Sequence, residues 1–461
     1  METLERTSMT IRMKSQLIHK YAANVPRYTS YPTAPHFSDA VDGATYREWL
    51  GQLDPAQELS LYFHIPFCAE MCWFCGCHTK ITRQYAPISD YIDTLMAEVD
   101  LVADALPAKM TARHIHWGGG SPSMLEEQDW LKVLDHLRSR FHTDSATKIA
   151  IELDPRTTRE SYIAALATAG VNRVSIGVQD FHPEVQEAIH RIQPYDVTKR
   201  VVDQLRAHGI KDINVDLMYG LPHQTVERVK KSVDLAVDLD PTRLSLFGYA
   251  HVPWMKSHQK MIKDSTLPDP FDRALQFEAA SRRLQMWDFL PIGLDHFARP
   301  DDDLTIAMQK GELRRNFQGY TTDTAAVLLG FGASSIGKVP QGYIQNQSPL
   351  KTYRDQVKNG HLATTKGIAF SAEDRLRGDV IERLMCDSRV DLADIAKRHE
   401  TDVSVFYDDL DALTPMAEDL LVYVDGTHVR VTDKGKPFLR TIAATFDSYL
   451  KKGTARHSVA V

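Results

Sequence analysis

An α/β fold with a parallel sheet follows from three observations on the sequence. Six short β-like runs recur from Leu59 to Phe247, each followed by a turn or loop and then a helix-like stretch, the pattern of successive βα units. Alternate positions in these runs are strongly apolar, and the positions between them are polar. After about Gly360 the repeat stops, and helical patterns lead into a hairpin. A chain of 461 residues exceeds one ordinary core, so one large and one smaller domain are expected. The sequence divides into an N-terminal arm (1–50), a βα domain with an extension (51–360) and a smaller, mostly helical, winged-helix-like domain (361–461).

The arm ends in Pro26-Arg-Tyr-Thr-Ser-Tyr-Pro-Thr33, read as loop because prolines bracket polar and aromatic residues. The β-like runs are Leu59–Ile65, Arg113–Trp117, Lys148–Leu153, Asn172–Val178, Asp212–Leu217 and Thr242–Phe247. Between them, Ile92, Leu95, Met96, Val99, Val102 and Leu106 follow helical spacing, as do Val229, Val233, Ala236 and Val237. Successive side chains of a strand point to opposite faces. One phase is aliphatic or aromatic throughout; the other reads Ser60, Tyr62, His64, Glu152, Arg173, Ser175, Gln179, Asn214 and Asp216. That phase is too polar for the packed interior of a closed eight-stranded barrel. It is expected to line a lumen wide enough for a large ligand, with Tyr62, Glu152, Gln179 and Asp216 near the C-terminal strand ends where such folds bind.

Farther on, helices around Leu376–Met385 and Leu392–Ile395 precede a hairpin over 422–431 with an Asp425-Gly426 turn. Arg430, Lys434, Lys436 and Arg440 near it are either solvated charge or contacts to DNA phosphates. The net charge of −7 gives no reason to expect nucleic acid as the main partner. No apolar run approaches the roughly 20 residues of a membrane span. Met1 to Lys20 is polar and mixed in charge, without the apolar core of a secretory signal, so a cytoplasmic, thiol-reducing location is expected.

Four of the five cysteines fall within ten residues, at Cys68, Cys72, Cys75 and Cys77; Cys386 stands apart. Thiolates this close on a loop after a strand point to a metal centre. C-x3-C-x2-C supplies enough ligands for three irons of a [4Fe–4S] cluster, leaving the fourth open to chelate a small molecule through amino and carboxylate groups. The alternative is zinc, which needs Cys77 as a fourth ligand on a C-x-C pinch. Trp73 and Phe74, between the cysteines, would shield a cluster.

With the βα repeat around it, C-x3-C-x-aromatic-C, whose aromatic is Phe74, resembles the signature of the radical S-adenosylmethionine superfamily. Further stretches match in order: Pro26 to Thr33, Tyr62-Phe-His-Ile-Pro-Phe-Cys68, Cys75-Gly-Cys77, His116-Trp-Gly-Gly-Gly120, Gly177-Val-Gln-Asp-Phe181, Asp216-Leu-Met-Tyr-Gly-Leu-Pro222, Asp295-His-Phe-Ala-Arg-Pro300 and Asn316-Phe-Gln-Gly-Tyr320. These resemble the oxygen-independent coproporphyrinogen III oxidases, or coproporphyrinogen dehydrogenases.

The resemblance implies an open (β/α)6 partial barrel, one [4Fe–4S] cluster on Cys68, Cys72 and Cys75, and two S-adenosylmethionine molecules. Tyr62, Gly119, Glu152 and Ile336 would contact the first; Phe74, Gly120, Ser121, Gln179, Arg191, Asp216 and Ala250 the second. Glycines after a strand let backbone approach a ligand closely. Cys77 matches a family cysteine that does not ligate iron. With Tyr62 and Arg315 it is expected to take part in catalysis, the alternative being an inert buried thiol. Two positions depart from the family pattern: Ser121 stands where Thr is usual, and Arg314 where His is expected.

The implied reaction starts with one electron passed from the cluster to S-adenosylmethionine, giving a 5′-deoxyadenosyl radical that takes a hydrogen from the β-carbon of a propionate. Loss of carbon dioxide and a further electron leaves a vinyl group. Two such events convert coproporphyrinogen III into protoporphyrinogen IX. A one-electron reductant of the flavodoxin or ferredoxin type, a terminal electron acceptor of unknown identity and a monomeric state are expected. Arg27, Arg299 and Arg315 are candidates to pair the substrate carboxylates, because guanidinium forks fit planar anions, and the arm is expected to close over the cavity. Other readings are a haem-binding or haem-delivery protein, a haem-modifying radical enzyme on the same scaffold, and a zinc-stabilised regulator with a DNA-binding wing.

Overall fold

The computed structural model describes residues 16–450, so the start of the expected arm and the tail of the expected C-terminal domain lie outside the described residues. A twelve-stranded sheet organises the chain. Strands β1 (Leu59–Ile65), β2 (Ala112–Gly119), β3 (Lys148–Leu153), β4 (Arg173–Gln179), β5 (Asp212–Tyr219) and β6 (Arg243–Gly248) are neighbours in chain order and all parallel. Helices α1 (Ala86–Ala103), α2 (Glu127–Arg140), α3 (Glu160–Thr168), α4 (Tyr195–Ala207) and α5 (Val226–Asp238) lie in the crossovers, and α6 (Pro270–Met286) follows β6. β6 does not pair with β1, so the six βα units form an open barrel, as expected.

Beyond β6 lie β8 (His296–Ala298) and then β7 (Leu290–Ile292), both antiparallel additions. On the other side, β9 (Val327–Phe331) runs parallel to β1. Strands β10 (Ile336–Val339), β11 (Gly342–Asn346) and β12 (Thr364–Ala369) then continue as antiparallel neighbours. The sheet therefore crosses the division expected at residue 360. These added strands span three to six residues each, too short for period-two alternation to stand out from loop sequence.

The apolar phase of the barrel strands faces the helices. Phe63 of β1 stacks between Trp117 of β2 at 4.4 Å and Phe331 of β9 at 4.8 Å, and all three are fully buried. Each such ring contributes about 1.5–3 kcal/mol by leaving water, so the outer face holds the strands while the polar phase stays free for the lumen. Helix α1 presents Ile88, Ile92, Leu95, Val99 and Val102 to that core. It ends at Ala103, so Leu106, expected on the same stripe, lies beyond it.

In the C-terminal region α7 (Ala372–Asp387) begins with a capping box, in which Ser371 and Asp374 each bond the other's backbone N–H. A three-stranded sheet of β13 (Arg389–Asp391), β14 (Val422–Asp425) and β15 (His428–Val431) packs with the helices. Asp425 pairs with His428, so the central turn residues are Gly426 and Thr427 rather than the expected Asp425-Gly426. Gly426 takes φ +58°, which suits glycine at the first central position of a two-residue hairpin.

The arm is fastened to this C-terminal region. Tyr21 donates to Asp419 at 2.6 Å, Tyr28 donates to Asp447 at 2.9 Å, and Ile18, Tyr21, Tyr28 and Tyr31 join its apolar core. Arg440 lies buried beneath the arm, donating to the carbonyls of Pro26, at 3.0 Å, and Val25. It is therefore unavailable to a DNA backbone.

Candidate functional site

At the C-terminal end of the barrel the polar phase converges. Tyr62 of β1 is in register with His116 of β2, and their rings stack at 5.9 Å. His116 Nε2 donates to Glu152 of β3 at 3.1 Å, and Glu152 also accepts from the Gly119 backbone N–H at 3.3 Å. Burial pushes the Glu152 carboxyl up, but the His116 hydrogen bond and charge outweigh it and hold the group below the usual range. His64 has the opposite sense: burial keeps its imidazole below the ordinary value and therefore neutral. Its Nε2 donates to the His78 carbonyl at 3.0 Å, leaving Nδ1 to accept from Tyr62 Oη at 3.1 Å. His64 was expected on the lumen-facing phase, whereas His116 stood only inside a longer matching stretch.

The three glycines after β2 are required by the chain itself. A Cβ on Gly118 would sit 2.6 Å from Glu152 Oε1, one on Gly119 2.5 Å from the His64 ring, and one on Gly120 2.6 Å from the Phe67 carbonyl. Gly119 also takes φ +106°. The expected reason, close approach of a ligand, is thus preceded by close approach of β1 and β3. Gly120 and Ser121 donate their backbone N–H groups to the carbonyls of Ile65 and Phe67, both at 2.8 Å. The glycine turn thereby braces the start of the cysteine loop.

On that loop Cys68 ends a two-residue strand paired with Lys80–Ile81, and the Cys75 N–H closes a turn on the Cys72 carbonyl at 3.1 Å. Cys72 Sγ accepts from Arg156 and Arg191, each at 3.5 Å. Burial, then the neighbouring Cys75 and Cys72, pushes the Cys68 thiol up to about 12. A hydrogen bond from Cys77 brings Cys75 down to about 6. Three cysteines this close, whose ionised forms would repel one another, suit a cationic iron–sulfur centre, which relieves the repulsion. Among the described residues, no three His, Cys, Asp or Glu side chains are placed to hold one metal ion. A cuboidal cluster makes no such demand, since each thiolate binds its own iron. The donor set fits the cluster.

The other expected residues form two groups around this loop. Gly177 carries the first: a Cβ there would lie 3.1 Å from Gln179 and 3.3 Å from Arg191, which donates to the Gly177 carbonyl at 2.6 Å. Arg191 is buried, and its Nε has no hydrogen-bond partner among the described residues, leaving a donor beside Cys72 for a ligand. In the second group Gln259 donates to the carbonyls of Phe74, at 3.0 Å, and Ala250, at 3.3 Å, so one side chain ties those two segments together. Lys256 and His258 bond the carbonyls of Cys77 and Cys75 in the same way.

Asp216 lies deeper, accepting from Ser175 at 2.9 Å and Asn214 at 2.7 Å; burial, aided by the charge of Glu152, pushes it up. Ser121 bonds Ser123 at 2.7 Å. Ile336 reaches the group by its carbonyl, packed against Gly330, which pairs with Tyr62.

The model of the radical SAM superfamily matches residues 62–236, and that of the HemN C-terminal domain matches residues 370–438. An oxygen-independent coproporphyrinogen III oxidase from Bradyrhizobium diazoefficiens is 46% identical, covering 97% of this chain and 100% of that protein. The chain belongs to the oxygen-independent coproporphyrinogen III oxidase family. A relative of the same name from Paracoccus denitrificans is 43% identical over 96% of this chain and 97% of its own length. A solved structure of coproporphyrinogen III oxidase from Escherichia coli, described as a radical SAM enzyme, matches with a TM-score of 0.88. It is 38% identical and covers 93% of this chain and 100% of its own. Membership of this family carries with it a [4Fe–4S] cluster and S-adenosylmethionine. No helix among the described residues is long and apolar enough to cross a membrane.

A cavity of about 250 Å³ lies inside the barrel among Ser60, His116, Glu152, Arg173, Asp216 and Ser245 and extends toward the N-terminal strand ends at Lys148 and Arg243. The three arginines expected to pair carboxylates separate between the C-terminal mouth of the barrel and its floor. Arg27 donates to the Gly248 carbonyl at 2.7 Å, at the mouth, and Arg315 donates to the Arg27 carbonyl at 3.3 Å. Arg299 is at the opposite end, donating to the Trp287 carbonyl and pairing with Asp240, while its own backbone N–H bonds Thr242 just before β6. It does not join the site. Arg314 pairs with Glu382 of α7 at 3.3 Å.

Arg273 of α6 was missed and Arg440 was expected only as solvated charge or a DNA contact, because nothing local distinguishes them from surface arginines. Only the fold brings them to the mouth.

Proposed function

We propose that this chain is an oxygen-independent coproporphyrinogen III oxidase, converting two propionates of coproporphyrinogen III to vinyl groups and giving protoporphyrinogen IX. The observation that carries this reading is a three-cysteine loop standing over a polar barrel end, in a chain matched along nearly its whole length by relatives of that name.

Cys68, Cys72 and Cys75 would hold the [4Fe–4S] cluster, with Arg156 and Arg191 donating to Cys72. When bound, the cluster supplies one electron that cleaves S-adenosylmethionine, so that a hydrogen atom is removed from the propionate β-carbon. Glu152, ionised and oriented by His116, is set to accept hydroxyl donors of a nucleoside. Tyr62 covers that acid with its ring. Gln179, Arg191 and Asp216 line the neighbouring stretch and are the groups we assign to a second S-adenosylmethionine, with Phe74, Gly120, Ser121 and Ala250; Gly119 and Ile336 belong with the first. Cys77, which donates its backbone N–H to Cys75 Sγ at 3.4 Å, is assigned a catalytic part with Tyr62 and Arg315. Gln259 holds the Phe74 and Ala250 segments together beside the site, and exclusion of water there matters because a carbon radical reacts with whatever it meets. A reducing cytoplasm, a flavodoxin- or ferredoxin-type reductant and a monomeric state complete the reading.

The test is anaerobic reconstitution with iron and sulfide, followed by assay with S-adenosylmethionine, a reductant and coproporphyrinogen III. Vinyl products and 5′-deoxyadenosine are expected together. Cys72→Ser should lose iron and lower turnover by more than the roughly 10–100-fold that loss of an outer partner costs. A reconstituted chain that binds haem and forms no vinyl group overturns the proposal.

A further inference from the structure

Four arginines from four separate parts of the chain meet at the mouth: Arg27 of the arm, Arg273 of α6, Arg315 of the hairpin after β8, and Arg440 of the C-terminal region. Gly248, the last residue of β6, marks the spot, with its carbonyl accepting from Arg27 and its Cβ position 3.3 Å from Arg273 Nη2. Arg315 lies 4.4 Å over the Tyr320 ring and Arg273 5.6 Å over the Tyr219 ring. Each uses an aromatic face to hold a guanidinium in position.

Among the described residues, the charge of Arg27, Arg273 and Arg315 is poorly balanced. The nearby carboxylate is Asp295, held down to about 2: burial opposes this, but the His296 hydrogen bond and Arg315 outweigh it. Even this acid stands 3.9 Å from Arg315 Nη1, too far to accept a hydrogen bond. Nη1 and Nε of Arg315 are buried without hydrogen-bond partners among the described residues, on a side chain only 3% exposed. Guanidinium groups stay charged inside proteins, and crowding shows in Arg440, brought down to about 10 by burial and then by Arg27. A protein gains nothing from such a cluster unless an anion arrives to complete it.

We infer that Arg27, Arg273 and Arg315, with Arg440 positioning the arm, form the receptor for those substrate carboxylates that the reaction leaves in place. This rests on the reading of the substrate as coproporphyrinogen III, which carries four propionates and loses two. A carboxylate that departs as neutral carbon dioxide gives up its charge, so a tight guanidinium pair would stabilise the starting state and oppose departure. The two retained carboxylates suffer no such conflict, and gripping them turns the macrocycle so that a reacting propionate points to the cysteine loop. The arm and the C-terminal region thereby acquire a role in recognition.

The test is equilibrium binding to the wild-type holoenzyme under anaerobic conditions without reductant, so that nothing turns over. Coproporphyrinogen III and protoporphyrinogen IX, which share only the retained carboxylates, should bind within about threefold of each other. The dimethyl ester of protoporphyrinogen IX should bind about tenfold or more weaker, as expected for lost charged hydrogen bonds. Arg273→Gln should weaken both acids by the same factor, and Arg273→Lys by less. Equal binding of acid and ester, or an Arg273→Gln effect confined to coproporphyrinogen III, overturns the inference. If Arg273→Gln fails to fold, the acid and ester comparison on wild type decides alone. Turnover assayed in parallel separates the two layers: no vinyl product means the proposed reaction fails, whereas normal turnover with indifferent ester binding sinks the receptor only.

Discussion

The two ends of the barrel both carry buried arginines, yet they treat the charge in opposite ways. At the N-terminal ends of the strands, Arg243 donates through Nε to both oxygens of Asp302 at 2.7 and 2.6 Å, and Lys148 reaches Asp303 at 2.7 Å. Arg243 and Lys148 each have a bonded acid, and Arg173 beside them lies 3.7 Å from Asp303 and 3.9 Å from Asp212. At the C-terminal mouth, among the described residues, Arg27 and Arg315 share Asp295 and otherwise lean on carbonyls and a ring, and Arg273 leans on a ring. Matched charge at the floor can be explained by folding alone, whereas the surplus at the mouth calls for something from outside.

Breaking a floor pair should produce the largest effect. Arg243→Met leaves Asp302 buried without its cation, and a loss of about 3–5 kcal/mol in denaturant unfolding is expected. The portion that remains folded should bind protoporphyrinogen IX normally. Arg273→Gln at the mouth should do the reverse, weakening binding with little change in unfolding. The contrast between the two ends fails if both substitutions destabilise alike.

A buried acid with donors but no cation sharpens the point. Glu98 of α1 accepts from Gly332 N–H and from Tyr353 Oη, both at 2.6 Å, and from Asn346 Nδ2 at 2.5 Å. Burial nevertheless raises its carboxyl from 4.5 to about 7. The folded state thus holds the proton more tightly than the unfolded chain. The stabilisation is complete below the ordinary carboxyl value and is lost as pH climbs through 7, a change of about 3 kcal/mol in all. Unfolding measured between pH 4.5 and 8 should show this decline, and Glu98→Gln should flatten it. An unchanged slope in the variant would remove Glu98 as the cause.

The smallest effect tests how the mouth is held together. Since Arg440 bonds the carbonyls of Val25 and Pro26, it acts on ligand affinity through Arg27. A double-mutant cycle of Arg27→Ala and Arg440→Ala, read as Kd for protoporphyrinogen IX, should give a coupling of about 1 kcal/mol. Strict additivity would mean that the two act separately.

The barrel was legible because its strands are long enough for alternation to register. Expected and observed bounds coincide for β1 and β3 and differ by no more than two residues at either end elsewhere. The cysteine loop was legible because its chemistry is local. The antiparallel extension was not, since strands such as His296–Ala298 carry too few residues for a pattern. The mouth was half legible. Arg27 and Arg315 lie in recognisable stretches, but Arg299 does too, and only the antiparallel course of β8 sends it to the wrong end. Arg273 and Arg440 sit on ordinary helical sequence, so tertiary structure alone reveals them.

The fastening of the arm has a consequence for how this molecule is made. Tyr21 and Tyr28 bond partners 398 and 419 residues later in the chain. At a ribosomal pace of about 5–20 residues per second, the arm waits roughly 20–80 s for the surface on which it comes to rest. The rim is therefore the last part to assemble, on a barrel whose strands have already emerged.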